Sequence, residues 1–135
     1  MAKRRIPITE GLAAVDRLRS GDSLDAAGVA GARAGDSASS NPTLTTAVRF
    51  LLEDLAVRIP GNSVEVRIPL FGAVQCVPGP DHRRGTPPNV VEMNAQTWLA
   101  LCLGEIAVEE ALADGRLIAS GTRALEFAQV LPLIR

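Results

Sequence analysis

The clearest hydrophobic pattern runs from Asn41 to Ile59. Leu44, Ala47, Val48, Leu51, Leu52, Leu55, Ala56 and Ile59 fall on one side of a helix without a break. Asn41 or Thr43 can cap that helix, Pro42 suits its first turn, and Pro60-Gly61 stops it. Arg49 with Glu53, and Asp54 with Arg58, stand four apart on the side that faces outward in this reading. The period then drops to two. Val64, Val66 and Ile68 alternate with Glu65 and Arg67, which predicts a strand with one wet face. Pro69 and Gly72 bracket a turn around Leu70-Phe71. Ala73 to Val77 and Asn89 to Met93 read as two further strands.

Ahead of the long helix, residues 7 to 19 predict a short one, with Ile8, Leu12, Val15 and Leu18 at helical spacing and Gly11 weakening it. From Ser20 to Ser40 the chain is rich in Gly, Ala, Ser and Asp. Little large apolar surface is available there to offset chain entropy, so a surface loop is expected. After Met93, Asn94 is placed to cap a helix through AQTWLALCL, ended by Gly104. A second short helix is predicted near Ala107 to Asp114, closed by Gly115. Leu117 to Ala119 reads as a strand closed by Gly121. A last helix carries Ala124, Phe127, Ala128 and Leu131, and Pro132 stops it.

Composition narrows the class. A chain of 135 residues, 47% hydrophobic and 21% charged, fits one soluble domain with one core. A net charge of -1 and only 3% aromatic residues argue against nucleic acid, which needs basic excess and stacking surfaces. No apolar run approaches the ~18 residues of a membrane span, and the N-terminal segment has no secretory pattern. A cytoplasmic protein without integral membrane association is expected. Cys76 and Cys102 have no metal-ligand spacing and read as buried, reduced, unreactive thiols.

Chemistry concentrates in CVPGPDHRRGTPPNVVE, residues 76–92, which holds the one histidine, His82, beside Arg83 and Arg84. No nucleophile elbow, phosphate loop or metal constellation accompanies it, so no catalytic residue, cofactor or metal is predicted. Alternation places His82 and Arg84 on one side and Arg83 on the other. The first two are candidates for contact with an anionic head group, and the alternative is a solvated charge pair at a stiff strand connection.

The C-terminal third, TWLALCLGEIAVEEALADGRLIASGTRALEFAQVLPLI, resembles the sterol carrier protein domain family. Trp98 and Leu101, Gly104, Ala111, Gly115-Arg116-Leu117, Gly121 and Leu125 to Leu131 stand at the places of that family's helix, stop, helix, strand and closing helix. Thr122 departs from the acidic residue common there. The Pro-rich stretch from Pro78 to Pro88 looks more like the short bacterial orthologues, actinobacterial ones in particular. The resemblance implies an α+β fold, a curved, mostly antiparallel sheet of about five strands covered on one face by helices. It also implies a non-catalytic carrier for a lipid or other apolar or amphipathic ligand. Phe71, Val74, Trp98, Leu101, Phe127 and Leu131 are the candidate ligand-lining residues. The alternative is an interaction or accessory module with the same fold and a filled core. Neither reading fixes an oligomeric state.

Overall fold

The computed structural model describes residues 4–20, 41–79 and 88–134. The expected surface loop after Ser20 and the His82-Arg83-Arg84 cluster lie outside the described residues.

Helix α1 spans Ile8–Arg19 and helix α2 spans Pro42–Arg58. Asn41 supplies the cap of α2, its Oδ1 accepting the Leu44 N–H at 3.0 Å, with Pro42 in the first turn. All eight residues of the predicted stripe are buried. Phe50 and Asp54 are buried as well, on the side that the pattern alone turns to solvent. The reason is tertiary, because the N-terminal segment and α1 pack on that side. Glu53 does not pair with Arg49. Its Oε1 accepts the N–H groups of Arg5 at 2.9 Å and Ile6 at 3.0 Å, while Arg49 Nε donates to the Phe71 carbonyl at 2.8 Å.

In α1 the contact face is rotated from the predicted one. Gly11, Ala14, Val15 and Leu18 are buried, whereas Ile8 and Leu12 are 51% and 42% exposed. Gly11 sets the rotation. A Cβ there would lie 2.2 Å from the Phe50 ring, so only a glycine lets α1 cross α2 this closely. The residue that weakens the helix by propensity is the one its packing requires.

Strands β1 (Val64–Ile68), β2 (Gly72–Cys76), β3 (Asn89–Met93) and β4 (Leu117–Ser120) form a sheet in the order β2-β1-β3-β4. The outer pairings are antiparallel and the central β1–β3 pairing is parallel, with Val66 opposite Val91. The described residues thus build a mixed sheet of four strands where about five are expected. The chain crosses from one side of β1 to the other between β2 and β3, which is why the two central strands run the same way. Val64, Val66, Ile68, Cys76, Val91, Met93 and Leu117 join the helices in one hydrophobic core.

The β1–β2 turn is tight. Ile68 O accepts the Phe71 N–H at 2.9 Å, and Leu70 has φ 74°. Pro69 and Leu70 therefore hold the two central positions, an arrangement that favours glycine where leucine stands. Helix α3 (Ala95–Cys102) is capped by Asn94, whose Oδ1 accepts the Thr97 N–H at 2.8 Å. Helix α4 (Val108–Ala113) follows and packs on β4. The closing element, Ala124–Val130, is a 3-10 helix. It is wound more tightly than the predicted α-helix, so Ala124 and Phe127, three apart, both reach the core, and Leu131 falls beyond its end.

Candidate functional site

Asn89, Arg123 and Pro78 fix the stem of the Pro-rich connection. The buried Asn89 donates through Nδ2 to Ser63 O at 2.8 Å and accepts the Arg123 N–H at 2.9 Å. Arg123 in turn donates to Pro78 O at 2.7 Å and grips Glu126 through two bonds of 2.9 Å. Gly121 has φ 103°, and a Cβ on it would lie 2.4 Å from Asn89 Oδ1. Glycine is thus required for both its backbone conformation and its space. Thr122, the departure from the family pattern, is exposed beside this junction and takes no part in its bonds. These bonds tie the two ends of the stem together, while His82 and Arg84, the head-group candidates, lie outside the described residues.

The six apolar candidates all belong to the core or pack on it. Phe71 and Leu101 are buried, and Val74 and Leu131 are half-buried. Trp98 and Phe127 have no exposed surface at all. The indole N–H of Trp98 donates to Val48 O at 3.3 Å, the buried partner such a group needs. These two rings fill the space between helices and sheet.

Leu101 and Leu131 do meet at open space. They line a groove of about 390 Å³ between the end of α3, the start of α4 and the end of the 3-10 helix. Ile106, Val108, Ala128 and Pro132 complete its apolar wall, and Glu105, Glu109 and Glu110 line it too. The Pro132 side is held in place because Cys102 O accepts the N–H groups of Leu133 at 2.9 Å and Ile134 at 3.1 Å. Four of these wall residues escape the sequence reading. Ile106 sits in a linker between helices, Val108 and Ala128 read as core, and Pro132 reads as a stop signal. A second groove of about 350 Å³ lies between the N-terminal segment and α2, with Arg4, Asp54, Arg58, Ile8 and Leu12 among its lining residues.

A family model described as bacterial SCP ortholog matches residues 40–133, well over half of the chain. The chain belongs to the bacterial SCP ortholog family. The match extends the sterol-carrier-like motif of the C-terminal third back through β1, β2 and β3 to the capped start of α2. It leaves α1 outside, so the close contact of Gly11 with Phe50 joins a preceding helix to the family's matched region. No curated protein matches the chain at a significant level.

The described residues of this SCP ortholog contain no group of three or more His, Cys, Asp or Glu able to hold a metal ion. No helix among them is long and apolar enough to cross a membrane. Both thiols are shifted away from reactivity. Burial pushes Cys76 up to about 12. Burial raises Cys102 well above the thiol range, with the Asp54 carboxylate adding to the effect and Arg58 opposing it. Thiol reagents at neutral pH should label both cysteines only as fast as the protein opens. The sign of the shift sets the pH response. Stability from the neutral buried thiols is complete below the unfolded thiol value of about 8.5 and should decline as pH rises toward 12. Rapid labelling of the folded chain near pH 7.5 would show that a thiol is accessible.

Proposed function

We propose that this SCP ortholog is a non-catalytic cytoplasmic carrier that holds an apolar or amphipathic small molecule in the groove between α3, α4 and the 3-10 helix. The observation that carries this reading is the groove itself. About 390 Å³ of open space is walled on one side by Leu101, Ile106, Val108, Ala128, Leu131 and Pro132, within the size range of small-molecule sites. Burial of apolar surface would supply most of the affinity. The groove is open, so a ligand enters without displacing Trp98 or Phe127. The sterol-carrier-like family supports the reading in its broad form. Complete burial of Trp98 and Phe127 favours a second reading, an interaction module with a filled core.

Native mass spectrometry of the freshly purified chain, joined to titration with a neutral long-chain alcohol, separates the two. Ala107 is exposed on the groove lining and outside the core. Ala107→Trp should fill the groove, leave the unfolding midpoint near that of the parent, and weaken alcohol binding at least tenfold. A chain that carries no small molecule and binds no alcohol would leave the interaction module as the better reading.

A further inference from the structure

The charge of the groove lining is one-sided. Its charged members are Glu105, Glu109 and Glu110, with no lysine, arginine or histidine among the lining residues. All three are exposed. Glu110 has a partner in Arg116, at 3.3 Å. That guanidinium is held more closely by Asp114, at 2.7 Å. The side chains of Glu105 and Glu109 have no hydrogen-bond or ion-pair partner among the described residues. Among the described residues two carboxylates on the groove are therefore left without an ion-pair partner. The second groove differs in this respect, since its cations Arg4 and Arg58 are both engaged by Asp54.

We propose that the groove selects amphiphiles with a cationic head, of the long-chain ammonium class, over neutral and anionic ones of the same chain length. This rests on the carrier reading of the same groove. An apolar chain laid against Leu101, Ile106 and Leu131 leaves its polar end at the rim, where the carboxylates are. An ammonium there stays in contact with water and gains two unpaired counter-charges beside a low-dielectric wall. A carboxylate head meets like charge at the same place. Each exposed ion pair is worth only a few-fold in affinity, so two together give a preference of about tenfold for ammonium over alcohol. This is the opposite of the selectivity expected from the basic His82-Arg83-Arg84 stretch.

The test is titration of the full chain with dodecylammonium, dodecanol and dodecanoate, each below the concentration at which it forms micelles. The expected order is ammonium, then alcohol, then carboxylate, with about tenfold between the first two. The Glu105→Gln/Glu109→Gln double variant changes only exposed side chains. It should lose the ammonium preference, so that the ratio of ammonium to alcohol affinity falls to about one whatever the alcohol affinity itself becomes. On the parent chain, raising salt to about 0.5 M should shrink the same preference, because exposed charges are screened within a few ångströms at that ionic strength. If dodecanol binds and dodecylammonium binds no tighter, the charge selection is wrong and the carrier reading stands. A preference that survives both the double variant and high salt also overturns it. If none of the three binds, the carrier reading and this selection fall together.

Discussion

Trp98→Ala should lower the stability of this SCP ortholog by about 3–5 kcal/mol. Trp98 has no exposed surface and lies on α3 against α2, within the core shared by helices and sheet. A ring system of this size removes about 150–250 Å² from water, an upper bound of roughly 4–6 kcal/mol at about 25 cal/mol per Å². The indole hydrogen bond to Val48 O, at 3.3 Å, is a smaller contribution of about 1 kcal/mol. Packing thus decides the effect, and Trp98→Phe, which keeps much of the volume and loses the bond, should cost clearly less than the alanine change. Denaturant unfolding of both variants, with the 40% exposed Leu125→Ala as control, makes the comparison. A shift for Trp98→Ala no greater than for Leu125→Ala would show that the ring does not fill the core.

Asp54→Asn is the second large effect, expected at about 2–3 kcal/mol. An ordinary exposed pair four apart on a helix contributes only about 0.3–0.5 kcal/mol. Asp54 differs because its side chain is 8% exposed and holds two guanidinium groups. It pairs with Arg4 from the N-terminal segment, and Arg58 Nε approaches its Oδ2 at 2.8 Å. Arg4 also lies 5.7 Å from the centre of the Phe50 ring, and its Nη1 is buried without a hydrogen-bond partner. Removing the carboxylate charge leaves Arg4, whose side chain is only 26% exposed, without that counter-charge. The cost stays below that of breaking a fully buried pair because Arg58 is half in solvent and keeps its bond to Leu133 O at 2.9 Å. The N-terminal segment should loosen while Glu53 still holds the Arg5 and Ile6 amides. Hydrogen exchange in α1 and proteolysis ahead of Ile8 would report that change. A midpoint within about 0.5 kcal/mol of the parent would reduce Asp54 to a surface pair.

The sequence by itself determined most of the described elements and the capped starts of α2 and α3. Caps are local, so Asn41 and Asn94 are legible as bonds to N–H groups three residues on. The one-sided period of α2 and the alternation of β1 are local as well, and both stripes are buried as read. The family is legible because its stops and turns recur at fixed places in the C-terminal third. Tertiary structure decided the rest. Which side of α2 is second to be covered depends on a helix some thirty residues earlier in the chain, so Phe50, Asp54 and the partners of Glu53 could not be read from the spacing within α2. Gly11 looks like a defect in one helix and becomes a necessity only where a second helix crosses it. The central parallel pairing depends on where the crossover after β2 lands, which no single strand's pattern records. The groove follows the same logic. Leu101 and Leu131 are thirty residues apart, and Ile106 and Pro132 carry no apolar period, yet the bonds of Leu133 and Ile134 to Cys102 O bring them to one wall. A concave surface belongs to the space between elements, and periodicity describes only the elements themselves.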